Sequence, residues 1–309
     1  MVLSKSEIAL FSGPFKQHIE KLLKLQSATP ECVIWFLAGC LQLKSLLHLR
    51  QMSLFGMLSR LQQGDNPLAN HARYVFSTAG SKSWFHQVQA TFLQYSLPHP
   101  VTFLDNPRSQ AVSKARVKSA VIEHWETKLR GQASLLTSLK YFKPSFMSLS
   151  KTHPIFSTCG SSKYEISKAI IQAQFLSGRA RVETLTRHWD PTNREGFCSL
   201  CKNIEPALGS LEHILLSGGC PALADARLSM ISFINSYLVP RPHLLHLFKD
   251  CWEVEEGMTM QFLLDCSVIP AVIKASQELD QDIMKDLFYI TRTYVFTIYL
   301  KRRKLLETA

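Results

Sequence analysis

The sequence predicts an all-α protein, an irregular multi-helix assembly with one small Cys-Cys-His-Cys insertion. Apolar residues recur at helical spacing nearly throughout. Helix start signals recur along the chain, and no stretch of strict alternation is long enough to read as a strand. There is no internal repeat and no low-complexity segment. In order, Ser4 and Glu7 fit a capping box, in which each side chain satisfies the other's end of the first turn. A short amphipathic helix with Ile19, Leu22 and Leu23 follows Pro14. Thr29-Pro30-Glu31 marks another start, with Pro at the first helical position, and Gly39 interrupts it. An apolar stripe then runs from Leu43 to Leu61, closed by the turn Gly64-Asp65-Asn66-Pro67. His71 to Phe76 and Lys82 to Tyr95 read as two more helices.

Leu97-Pro98-His99-Pro100 breaks the chain. Asn106-Pro107 opens the most basic helix, Arg108 to Arg130, with Val112, Val117, Val121, Ile122 and Trp125 as its expected buried side. Ser162 and Glu165 form a second capping box for a helix through Leu176, which Ser177-Gly178-Arg179 ends; Val182 to His188 continues as helix. Pro221 starts a helix whose apolar side is Leu223, Leu228, Ile231, Ile234 and Leu238, ended by Val239 to Pro242. Ile269 to Leu306 reads as one long helix. Its terminal cluster Lys301 to Lys304 suits the negative end of the helix dipole. The expected organisation is a helical region over 1–97, a basic helical region over 98–194, the cysteine module over 195–225 and C-terminal helices over 226–309.

The 309 residues carry 35 basic and 24 acidic side chains, a formal net charge of +11, and 46% are hydrophobic. That balance belongs to a globular chain and excludes a disordered tail. Eight cysteines are too few for a small disulfide scaffold, and five of them read as buried free thiols. The start lacks the basic-then-apolar order of a signal peptide, and the apolar run Cys32 to Leu43, at 12 residues, is too short to span a bilayer. The expectation is an intracellular chain, nuclear or cytoplasmic, with no membrane partner. Residues 1–99 hold 9 basic and 4 acidic side chains, residues 100–202 hold 16 and 7, and residues 203–309 hold 10 and 13. The middle third therefore carries most of the excess. Such an excess favours approach to a phosphate backbone through counterion release, while a solvated helix face is the plain alternative.

The densest chemical signal is Cys198, Cys201, His213 and Cys220, spaced C-x2-C-x11-H-x6-C. Two cysteines two residues apart reach one metal across a tight turn. Three thiolates and an imidazole make a closed, structural type of zinc site. His213 sits on the helical run Leu211 to Leu216, and Ser217-Gly218-Gly219 lets the chain turn back so that Cys220 faces the metal. The alternative is buried thiols beside an unrelated histidine. Trp125, Tyr141, Phe142, Phe146 and Trp189 stand near the basic region as either core aromatics or base-stacking surfaces. The histidine pair His243 and His246 is isolated and reads as surface or core.

Thr186 to Trp189, Cys198 to Cys201, Leu211 to Leu216 and Cys220 to Leu223 together resemble the post-polymerase region of non-LTR (LINE-type) retrotransposon reverse transcriptases. Phe36 to Gly39, Leu47 to Gln51, Asn66 to Val75 and Asp286 to Thr293 resemble the same family, so the likeness runs from about residue 15 to 306. It implies the C-terminal portion of a longer polyprotein, with thumb and linker helices followed by a zinc-knuckle-like module that holds template RNA or target DNA. Cys198, Cys201, His213 and Cys220 match that module's ligands for one structural Zn2+, though the gap between His213 and Cys220 is longer than the family's commonest. The partners implied are RNA or DNA and an upstream palm.

Polymerase chemistry needs clustered carboxylates to hold two metals. The chain has no Asp-Asp dipeptide, no Walker-type glycine loop and no Gly-x-Ser-x-Gly elbow, so it is expected to bind nucleic acid without copying it. The expected phosphate contacts are Lys114, Arg116, Lys118, Arg179, Arg181, Arg187 and Arg194, with Trp189 beside them. The alternative is a decayed or domesticated helical protein acting through protein contacts, with the Leu43–Leu61 stripe partly exposed.

Overall fold

The computed structural model describes all residues except 1–4, 62–66, 79, 81–82, 107–108, 187–194, 202–205, 253–254, 279–281 and 309. The expected contacts Arg187, Trp189 and Arg194 lie outside the described residues, as do Ser4 and Arg108. The fold is all-α. Among the described residues the only β pairing is a single bridge between Phe197 and Leu208. The chain divides into two compact units, one of residues 1–19 and 40–131, the other of 20–39 and 132–309.

In the first unit, the helices Leu43–Ser59, Trp84–Gln94, Pro100–Asp105 and Gln110–Ser134 supply the core. Edge-to-face rings bind three of them: Phe55 lies 5.5 Å from Phe92, and Phe92 lies 5.3 Å from Phe103. Such contacts add to the area these rings remove from water. Ser83 starts the Trp84–Gln94 helix by accepting the amide N–H of His86 at 3.1 Å. At its end Ser96 takes a positive φ of 52° and Leu97 bonds back to the carbonyl of Phe92 at 2.9 Å. The break expected at Leu97 is thus a tight turn.

The helix Gln110–Ser134 buries Ser113, Val117, Val121, Trp125, Leu129 and Ala133, one residue in every four. Val112, expected on that side, is instead 50% exposed. An i, i+4 stripe places position 112 a quarter-turn off the buried line. Trp125 is core. Its indole N–H donates to the Tyr95 phenol oxygen at 3.2 Å, and that oxygen lies 2.7 Å from His48 Nδ1.

In the second unit the helix Asp282–Thr308 is the central post, burying Leu287, Phe288, Thr291, Tyr294, Val295 and Ile298. The helices Lys163–Leu176, Ala224–Leu238 and Glu256–Asp265 pack on it. Ser162 caps Lys163–Leu176 by accepting the Glu165 amide N–H at 3.2 Å, as the capping box predicts. The helix Glu31–Ala38 ends at Gly39, whose φ is 61° and whose missing Cβ would stand 2.1 Å from the Lys151 backbone. Pro30 is the residue before that helix, one position earlier than expected. Helix also continues through Pro14, since Lys5–Leu22 is one element. Of the long helix expected over Ile269 to Leu306, Pro270–Glu278 and Asp282–Thr308 are helical, and residues 279–281 between them lie outside the described residues.

By length and composition the run Glu256–Glu278 is apolar enough to cross a membrane, but more than half of its most apolar window is buried within the unit. The turn Cys266–Val268 interrupts it. It behaves as a core segment.

Burial draws the His48 ring down to about 4, with Lys44 and His124 adding to the shift. The ordinary histidine value is about 6.5. The neutral ring is therefore favoured in the fold. Its contribution is complete above about pH 6.5 and is lost as pH falls through that value towards 4. His124 shifts the same way, through burial and then Lys128 and Lys44. Amide hydrogen-exchange protection of Leu43–Ser59 is expected to be steady from pH 8 to 7 and to fall between about 6.5 and 4. His48→Gln should flatten that fall.

Candidate metal centre

The module begins on the single β bridge. Cys198 donates its amide N–H to the Ala207 carbonyl at 2.8 Å, and Gly209 donates to the Gly196 carbonyl at 2.8 Å. This pairing holds the Cys198–Cys201 turn against the second arm of the loop. Ser210 then caps the short helix Leu211–Leu215 by accepting the His213 amide N–H at 3.1 Å. The cap fixes where the imidazole emerges.

The Cys220 amide N–H donates to the His213 carbonyl at 2.6 Å. Gly219 makes this approach possible, because a Cβ there would stand 2.0 Å from that same carbonyl oxygen. The long gap between His213 and Cys220 is thus taken up by a glycine turn that brings two ligand residues onto one hydrogen bond.

One ligand atom from each of Cys198, Cys201, His213 and Cys220 lies within 4.8 Å of all the others. Cys198 Sγ is 3.8 Å from Cys220 Sγ, and Cys201 Sγ is 3.3 Å from His213 Nε2. A tetrahedral zinc with Zn–S bonds of about 2.3 Å sets its sulfurs about 3.8 Å apart. The four residues expected from their spacing are brought together, Cys220 included, and they fit one tetrahedral divalent ion. All three sulfurs are buried. Burial pushes the Cys201 thiol up to about 12, and the neighbouring Cys198 and Cys220 sulfurs push the same way. The Cys220 thiol is also raised, by burial and then by Cys198. A divalent cation opposes both effects, since a coordinating thiol is deprotonated. Three thiolates and a histidine leave no open position, so the chemistry such an ion supplies is cross-linking of the chain.

Residues outside the ligand set hold the module. Arg227 is 2% exposed and donates to the Cys220 carbonyl at 2.6 Å and the Ile214 carbonyl at 3.1 Å. Tyr294 donates its phenol proton to the Leu215 carbonyl at 2.6 Å. Glu183 accepts from the Ser199 amide N–H at 3.0 Å and from Arg302 Nη2 at 2.5 Å. At the rim, the Glu212 carboxylate accepts from Lys140 Nζ at 2.8 Å and from the Tyr141 hydroxyl at 2.5 Å. Burial alone would raise Glu212, but these two donors outweigh it and hold the carboxyl at about 2.

None of these supports was among the expected site residues. Arg227 left a trace in the sequence, a cation in register with Leu223, Ile234 and Leu238. It takes the inward place that the apolar pattern gave to Leu228, which is 65% exposed. Glu183 and Arg302 left none.

The expected phosphate contacts divide between the units. Lys114 and Lys118 are exposed and Arg116 is half-buried, all on the helix Gln110–Ser134. In the second unit Arg179 is half-buried and Arg181 is exposed, outside the metal cluster. Of the aromatic candidates, Tyr141 and Phe142 are core and Phe146 is 58% exposed. No family model matches the chain, and neither a curated protein nor a solved structure matches it.

Gly219→Ala is expected to cost on the order of 2 kcal/mol or more of the second unit's stability, through the clash with the His213 carbonyl. Gly218→Ala, whose Cβ would meet nothing within 4 Å, should be close to neutral. Paired guanidinium chloride titrations of the two variants measure the difference.

Proposed function

We propose that the protein binds nucleic acid through phosphate contacts, with one zinc at Cys198, Cys201, His213 and Cys220 as a structural cross-link and no catalysis of its own. The observation that carries this reading is the electrostatics of the first unit. Its residues hold 13 basic and 5 acidic side chains, a net +8, against 22 and 19, a net +3, in the second unit. Lys114, Arg116 and Lys118 have no carboxylate within 4.0 Å among the described residues, whereas Arg130 on the same helix pairs with Glu126 at 2.8 Å. Cations without partners keep their attraction for an external polyanion. The resemblance to the post-palm part of LINE-type reverse transcriptases supports the same reading and adds a polymerase palm, upstream in a longer chain, as partner.

For zinc, the support is the ligand set. Thiolates with one imidazole in tetrahedral array suit Zn2+ among the common biological ions. Elemental analysis of the untagged protein is expected to give about one zinc per chain, lost in Cys201→Ser.

Affinity for RNA or DNA should fall steeply with salt, with a log–log slope of about −3 or steeper if several phosphates are contacted. Fluorescence anisotropy across a salt series measures it, and a flat response would sink the nucleic-acid reading.

One observation favours a second reading, an interaction protein. On the helix Leu43–Ser59 the side chains of Leu46, Leu54 and Met57 are 38%, 46% and 49% exposed. Size-exclusion chromatography separates the two readings, since an apolar face of this kind, if functional, gives concentration-dependent self-association.

A further inference from the structure

Within the first unit a groove of about 730 Å³ runs between the helix Gln110–Ser134 and the turn Tyr95–Leu97. We infer that this groove seats the phosphate backbone of a single-stranded nucleic acid; the inference rests on the nucleic-acid reading above and gives it a place.

The helix side of the groove is a ladder of Arg116, Ser119, Glu123, Thr127 and Lys128. Their spacing puts them on one face, beside the buried line through Val117, Val121 and Trp125. Arg116 and Lys128 stand twelve residues apart, or about 18 Å along the axis. That is the reach of a few nucleotides of an extended strand. The hydroxyls of Ser119 and Thr127 lie between the two cations, on exposed residues, and hydroxyls of this kind bond phosphate oxygens. The cations stand in one line along the helix, which matches the single backbone of one strand.

The charge is arranged to match. Neither Arg116 nor Lys128 has a carboxylate partner among the described residues. Lys128 Nζ stands 4.6 Å from the centre of the Trp125 ring, which steadies the ammonium without neutralising it. Lys44 adds a further positive field, felt at His124 in the groove wall. One group opposes a polyanion, the Glu123 carboxylate in the middle of the ladder. This fixes the sign of its effect, since removing that charge tightens binding.

The test is anisotropy of the full chain with a short fluorescein-labelled oligouridine and, separately, a short labelled duplex, each across a salt series. The double variant Arg116→Gln/Lys128→Gln is expected to bind the single strand about ten-fold more weakly, with a salt slope shallower by about 1.4, or about 0.7 for each lost phosphate contact. Glu123→Gln should tighten binding about three-fold. Ser119→Trp, which fills the groove without changing charge, should weaken it, and the exposed Lys274→Gln serves as the charge control in the second unit. The duplex should lose no more from the double variant than from Lys274→Gln. If wild type binds the single strand and the double variant loses no more than Lys274→Gln, the groove is overturned and the broader reading stands. Equal losses for strand and duplex overturn the single-strand assignment. Wild type that binds neither probe overturns both readings.

Discussion

A guanidinium keeps its proton inside a protein, so a buried arginine must find oxygen acceptors or destabilise the fold. Among the described residues the second unit contains three such arginines, and its architecture follows the carbonyls and carboxylate they reach. Arg292 donates to the Ile155 and Thr158 carbonyls at 2.9 and 3.1 Å, fixing the segment that begins at His153. Arg302 ties the same C-terminal helix to the Arg181 carbonyl at 3.0 Å and to Glu183. Arg227 holds both ends of the metal loop through Ile214 and Cys220. The Arg292 and Arg302 bonds join segments distant in sequence, and those of Arg227 tie its helix to the loop just before it. Together they make the helix Asp282–Thr308 and its neighbours a frame on which the cysteine module rests.

This frame explains why the ligands converge before any ion is considered. The module's helix Leu211–Leu215 is only five residues long. Isolated helices of that length are not stable in water. The Ser210 cap, the Tyr294 phenol and the Arg227 guanidinium hold it instead. Loss of an ion would remove one tie among several here, unlike in a free-standing zinc finger, which unfolds without its metal.

The all-α class, the Ser162 cap, the stop at Gly39 and the clustering of Cys198, Cys201, His213 and Cys220 were legible in the sequence. Each depends on a local rule, such as a capping residue, a left-handed glycine or a ligand spacing. What was not legible depends on contacts made between elements. The apolar pattern put Leu228 inside because leucine there fits the helical period, but the inward position belongs to Arg227, whose acceptors are made by a different loop. Charge by thirds of the sequence placed the positive excess over residues 100–202, whereas the fold gathers it in the first unit. The boundary at Gly131 falls inside a continuous helix, and no composition shift marks it.

The turn at Gly219 also bears on how far ligand spacing can vary in modules of this kind. Chain entropy depends weakly on loop length: doubling a flexible loop costs only about 0.6 kcal/mol. Against the metal-binding free energy of zinc-finger peptides, about 10 kcal/mol, a few additional residues between two ligands are a minor cost. The steric requirement at Gly219 is far stricter, because no side chain fits 2.0 Å from a carbonyl oxygen. The number of residues between ligands is thus loosely constrained by polymer statistics, and the glycine before the last ligand tightly constrained by excluded volume.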